Sequence, residues 1–138
     1  MLNEFLTMTV SATGMTAQRL RLDVIASNIA NSETTRTPEG TPYRRRISVF
    51  SEYLLKSGET RSSGVKVSRI AEDMSPFKVV YNPSHPDADE NGYVQLPNVN
   101  VLREMIDLIN AQRSYDANVS AFNTVKAMIN SALQIGRG

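Results

Sequence analysis

Apolar side chains recur at steps of three and four along two stretches, roughly residues 3 to 31 and 98 to 135, and neither stretch contains a proline. Periodicity of that length predicts two long terminal helices, with Gly14 the one interruption in the first. At roughly 100° per residue, Met8, Ala12, Met15, Leu22, Ile25 and Ile29 form one stripe. Leu6, Val10, Ala17, Leu20 and Val24 form another on nearly the opposite side. The C-terminal stretch repeats this, with Leu108, Ala111, Tyr115, Phe122, Val125, Ile129 and Ala132 on one seam and Ala117, Ala121, Met128 and Ile135 on another. A two-helix hairpin can cover only one stripe per helix, so each helix is expected to have a second seam for something else.

All six prolines, Pro38, Pro42, Pro76, Pro83, Pro86 and Pro97, lie between those stretches. Residues 43–50, 65–70 and 77–81 are rich in β-branched and aromatic residues and are separated by Gly, Pro, Asn and Ser turns, which predicts a small antiparallel β module. The expected fold is mainly α with an inserted β module, the terminal helices pairing as a coiled-coil-like hairpin. Residues 1–32 with 98–138 would form the helical domain and 33–97 the insert.

Charge decides what the spare seams face. Fifteen Lys and Arg against fourteen Asp and Glu leave a net charge of +1, too little to steer the chain to nucleic acid. No apolar run approaches the roughly twenty residues of a membrane span, so direct membrane insertion is not expected. Glu4 stands where a secretory signal carries basic residues, and Thr7, Thr9, Ser11 and Thr13 interrupt any apolar core, so export would need another route. The chain has no cysteine and hence no thiol chemistry. Between Met1 and Ala30 the charges are Glu4, Arg19, Arg21 and Asp23, and from Asn110 onward Arg113, Asp116, Lys126 and Arg137. Helices so poor in charge are expected to pack against other chains in a helical assembly. The rival reading is a monomeric helical module that docks one partner helix.

Candidate chemistry is sparse. Asp87, Asp89, Asn91 and Gly92 have the spacing that opens a calcium loop, but Asn98 stands where the bidentate acid is required and Pro83 and Pro86 bar an entering helix, so a polar turn is expected. His85 is the lone histidine and reads as a solvated loop residue. Glu72 and Asp73 read as adjacent loop acids with no partner, and strand alternation sends Arg45 to the face opposite Arg44 and Arg46, on a solvated or subunit-facing strand. Met8, Met15, Met105 and Met128 read as flexible core filler. No catalytic residue, metal or cofactor is expected.

Residues Gly14 to Asn31, GMTAQRLRLDVIASNIAN, closely resemble the N-terminal signature of bacterial flagellar axial proteins, with Asn28 and Asn31 among the matching positions. A second set resembles the proximal-rod members of the flagellar basal-body rod family: Asp87, Asp89, Asn91, Gly92 and Tyr93, then Pro97, Glu104, and the run Arg113 to Val119 that includes Asn118. The chain departs from the family after Asn31, where the family commonly reads toward a Thr-Thr-Gly type turn and this chain has Ser32-Glu33-Thr34-Thr35-Arg36-Thr37-Pro38. The resemblance implies a structural subunit of the basal-body rod, the periplasm-crossing shaft that carries motor torque to the hook. It implies self-assembly through the terminal helices, contacts with other rod proteins, and passage through the flagellar type III export apparatus without a cleaved signal peptide.

Overall fold

The computed structural model describes residues 2–57 and 60–136. Helix α1 spans Leu2–Ala30 and helix α2 spans Val101–Ile135, enclosing strands β1 (Arg46–Ser57), β2 (Thr60–Glu72), β3 (Lys78–Tyr81) and β4 (Tyr93–Leu96). The mainly helical architecture with an antiparallel β region between the helices is therefore as the periodicity predicts. Helix α2 starts later than expected, because the Asn100 side chain accepts the Arg103 N–H at 3.1 Å and so caps the first turn.

The β region is two separate ribbons. Strands β1 and β2 pair from Arg46↔Glu72 to Ser57↔Thr60, a far longer hairpin than residues 43–50 and 65–70 announce. Its register slips between Val49 and Phe50, leaving Ser68 extra on β2, a bulge that sharpens the ribbon's twist. Strand β4, not anticipated from the sequence, pairs with β3 from Lys78↔Leu96 to Tyr81↔Tyr93. The Asp89–Gly92 turn leads into it: the Asp89 carboxylate accepts the Asn91 and Tyr93 N–H groups at 2.9 and 2.8 Å, and Gly92 takes φ +83°, where a side chain would be strained.

The helices run antiparallel and in step. Gly14 lies against Asn118 and Asn28 against Glu104, the same fourteen-residue interval on both helices. A Cβ at Gly14 would stand 2.7 Å from the Asn118 amide oxygen, so glycine lets the helices approach here. The β1–β2 hairpin folds back along α1. Gly64 of β2 sits where a Cβ would meet the Thr13 hydroxyl at 2.6 Å, and that hydroxyl accepts the Val65 N–H at 3.2 Å.

The resulting core is small. Among the described residues seven apolar side chains are buried, Leu6, Ala17, Val24, Ile25, Tyr43, Val94 and Ala111, whereas eighteen large hydrophobic ones are exposed. A self-sufficient domain of this length would hide far more of them.

Candidate assembly surfaces and the junction that aims them

The most constrained part of the molecule is polar. Asn28, near the end of α1, is fully buried and uses every hydrogen-bonding position of its amide. Its nitrogen donates to the Arg46 carbonyl at 2.8 Å and to Glu104 Oε2 at 2.9 Å. Its oxygen accepts the Arg46 N–H at 2.9 Å and the Tyr43 hydroxyl at 3.0 Å. Glu104, in the first turn of α2, is equally buried and takes Arg45 Nε at 2.5 Å on its other oxygen. Arg45 also reaches Asp73 at 3.4 Å and Asp107 at 3.7 Å. Asn98 closes the cluster, accepting the Arg45 N–H at 2.8 Å and donating to the carbonyls of Asp73 and Ser75. Both helices and the root of the hairpin thus meet in one hydrogen-bonded junction.

This junction corrects two expectations. Alternation does separate Arg45 from its neighbours, but the face it occupies is the junction, where its side chain is 18 % exposed and reaches three acids of its own chain. Arg44 lies 4.2 Å over the Phe77 ring and Arg46 5.7 Å over Tyr43. Asp73, read as an acid without a partner, is paired with Arg45 and also holds Ser75 through its hydroxyl and its N–H. His85 is half-buried, and its Nδ1 accepts the Asp87 N–H at 3.0 Å. Asp87 accepts the Thr35 hydroxyl at 2.7 Å and faces Arg36 at 3.7 Å, so the residues of the calcium-like spacing serve to tie the chain together. Asn31 accepts the Thr34 hydroxyl at 3.2 Å, which builds the turn where the chain departs from the family pattern.

Electrostatics follow from these contacts. Burial opposes the charge of Arg45, yet its hydrogen bond to Glu104 and the charges of Glu104 and Asp73 hold its pKa above the ordinary arginine value. The hydroxyl and N–H of Ser75, with Arg45 behind them, hold the Asp73 carboxyl below its ordinary value of 3.8. Because the folded pKa is the lower one, Asp73 stabilises the fold above pH 3.8, and that contribution disappears as pH falls through the folded value. Asp73→Asn is therefore expected to flatten the decline of melting temperature on acidification below pH 3.8, a change read by thermal denaturation across a pH series.

Around the junction the anticipated assembly residues divide by exposure. Leu6, Ala17, Val24 and Ile25 are buried within the single chain. Met8, Val10, Met15, Leu22, Ile29, Leu108, Tyr115, Phe122, Val125 and Ile129 are half-buried. Leu20, Ala117, Ala121, Met128 and Ile135 are exposed. Three of the five residues in the second stripe of α1 are thus covered already, because the hairpin folds back onto that helix. Of the matching family positions, Asn28 and Gly92 are buried, Asn31, Asp87 and Asn118 half-buried, and Asp89, Asn91, Tyr93 and Arg113 exposed. Met105 and Met128, read as core filler, are 49 % and 58 % exposed.

One surface was missed. Leu102, Met105, Ile106 and Ile109 stand at i, i+3, i+4 and i+7 on the outer side of α2, each about half or more exposed. Their spacing was readable, but the seams chosen begin at Leu108. Beside them Leu22, Ala26, Leu108 and Ile109 line a largely apolar cleft of about 440 Å³ between the helices, with Asp23, Gln112 and Arg113 completing its lining. No helix among the described residues is long and apolar enough to cross a membrane, so these faces are not a spanning segment.

Family models match both ends of the chain. Residues 8–36 match the family model described as flagella basal body rod protein, and residues 90–135 match the one described as flagellar basal body rod FlgEFG protein C-terminal. The chain is 46 % identical to the flagellar basal-body rod protein FlgC of Bacillus subtilis, covering 96 % of this chain and 98 % of that protein. It is 45 % identical to the FlgC of Borreliella burgdorferi, covering 97 % and 98 %. The FlgC of Aquifex aeolicus is 43 % identical, covering 91 % and 92 %.

Proposed function

The chain belongs to the FlgC-like family of flagellar basal-body rod proteins, and from that premise we propose that it polymerises through its terminal helices into a shaft that carries torque. It is a structural subunit of the basal-body rod, with no catalytic step in the reading. The observation that carries the polymerisation is the imbalance between a core of seven buried apolar residues and the eighteen large ones left exposed, many of them along α2. Burying that surface against neighbouring subunits supplies the stabilisation that one chain lacks, at roughly 25 cal/mol per Å² of apolar area. The helical ends, residues 1–32 and 98–138, form the axial core, and residues 33–97 dress it.

The partners under this reading are further copies of the chain, other rod proteins and, before assembly, the flagellar type III export apparatus. The rod it joins crosses the periplasm. The assembly surfaces are the exposed members of the helical seams, Leu20, Ala117, Ala121, Met128 and Ile135, together with the half-buried residues that border them. Electron microscopy of purified basal bodies tests the assignment. Cells without the chain are expected to make basal bodies whose rod stops short and to lose motility, with both restored when the chain is supplied. Complete rods in its absence would end the reading.

A further inference from the structure

The β1–β2 ribbon is held in two very different ways along its length. At its root Arg45 and Arg46 belong to the junction, bonded to Asn28 and Glu104. Farther out it lies across Thr9, Ala12, Thr13, Thr16, Ala17 and Leu20 of α1, and there the fit is poor. An open, largely apolar groove of about 440 Å³ remains between those residues and Tyr53, Val65, Lys66 and Val67 of the ribbon. Among the described residues one hydrogen bond and no ion pair cross this stretch, the Val65 N–H donating to the Thr13 hydroxyl at 3.2 Å. Between the firm root and the loose length falls the register slip at Val49 and Phe50. A bulge interrupts the ladder and bends its strand, so the ribbon has a hinge where the clamp ends.

We propose that the ribbon is a strap: in the free chain it masks the Thr9–Leu20 face of α1, and on assembly it swings at the bulge and yields that face to a helix of a neighbouring copy. This rests on the rod-subunit reading and adds that one seam stays closed until a neighbour arrives. The masked face explains why a helix is the better occupant. Its six residues recur at steps of three and four, five of them are Ala or Thr, and none is charged. Small residues in that spacing let the ridges of another helix settle into the grooves, which the two-residue alternation of a strand does not match. Leu20, 37 % exposed, already shows at the groove's edge. Lys66, 5.7 Å over the Tyr53 ring, is exposed and travels with the ribbon, so opening strands no charge. A neighbour shifts the strap only by binding the open form better than the closed one, and a contact with one hydrogen bond and an unfilled groove sets that requirement low. Two free copies each keep the face covered, which disfavours pairing away from the rod.

The cysteine-free chain allows the strap to be pinned. A Cβ at residue 64 would stand 3.3 Å from the Thr13 Cβ, near the roughly 3.5–4.5 Å that a disulfide spans. Thr13→Cys/Gly64→Cys is therefore expected to close on mild oxidation of the isolated protein, read as the loss of both free thiols. Cells supplied with this variant are grown with a thiol reductant, and their purified basal bodies are oxidised in the same way. There the pair is expected to be at least tenfold less closed. Closure as complete in basal bodies as in the isolated chain overturns the strap, and so does a pair that stays open in the isolated chain. Gly64→Ala decides the matter even if the paired variant fails to enter basal bodies. Its methyl group would meet the Thr13 hydroxyl at 2.6 Å, so the isolated chain is expected to melt at least about 4 °C lower, while swimming stays unchanged because the damaged contact is absent from the rod. Loss of swimming together with stability, or no change in melting, overturns the strap. Absence of the unsubstituted chain from basal bodies would instead overturn the rod-subunit reading itself.

Discussion

Glu104→Ala is expected to cost about 3–5 kcal/mol of folding stability, the usual penalty for removing one partner of a buried ion pair. The loss comes less from the vanished attraction than from what stays behind. Arg45 would remain in the junction with Asp73 and Asp107 as its only acids, both at longer range than Glu104. Asn28 would keep a buried amide hydrogen with no acceptor, which costs about 1–3 kcal/mol by itself. Against a typical reserve of about 5–15 kcal/mol, such a chain is close to unfolding at room temperature. Urea denaturation followed by circular dichroism measures it. The double variant Glu104→Leu/Arg45→Met is expected to be more stable than Glu104→Ala, because it removes the cation together with its fully buried partner and leaves only Asp73 and Asp107, which keep part of their water, without it. A Glu104→Ala protein within about 0.5 kcal/mol of the original, the range of ordinary surface changes, would show that the junction is not the structural keystone described.

Met128→Asp should do the opposite: leave the isolated chain as stable as before and abolish swimming. Met128, on α2, is 58 % exposed, so a carboxylate there keeps its water in the monomer, and surface substitutions stay within about 0.5 kcal/mol. Packed against a neighbour the same carboxylate would be stripped of water with no partner, a cost of several kcal/mol repeated at every copy. Val24→Asp provides the contrast, since Val24 is 7 % exposed inside the chain and its replacement should unfold the monomer outright. Soft-agar motility, recovery of the chain in basal bodies and thermal melting read the three outcomes together. Normal swimming by Met128→Asp would remove the exposed face of α2 around Met128 from the assembly.

Some of this was open to a reading of residues and some was closed to it. The terminal helices were legible because proline is confined to the middle and because apolar steps of three and four persist for so long. Strand β4 was not, since Tyr93–Leu96 is only four residues caught between Gly92 and Pro97 and merges with the turn before it. The hairpin looked short because Ser51, Glu52, Lys56, Ser62 and Ser63 dilute its β-forming residues, whereas pairing across a ribbon depends on its partner strand. The junction was hidden for a different reason. Periodicity reports which side of an element a residue occupies, not what stands there, and Arg45 meets an acid 59 positions away. Asn28 and Glu104 were both noticed, each through resemblance, with nothing in the sequence to say that they touch.

The position of that junction has a mechanical meaning. Apolar contact is non-directional, so two helices held only by greasy seams can slide or roll on each other at little cost. The hydrogen bond from Asn28 to Glu104 cannot follow such a motion without breaking, and it pins the helices at one end of their overlap, while three further bonds fix the same Asn28 amide to Tyr43 and Arg46 and a charged pair fixes Glu104 to Arg45. The helix pair is therefore a cantilever, clamped at its root and free toward Leu2 and Ile135. Deflection of a cantilever grows with distance from the clamp, so the compliant ends are the ones left to settle against whatever lies beyond them, while the orientation of the whole is set at the root.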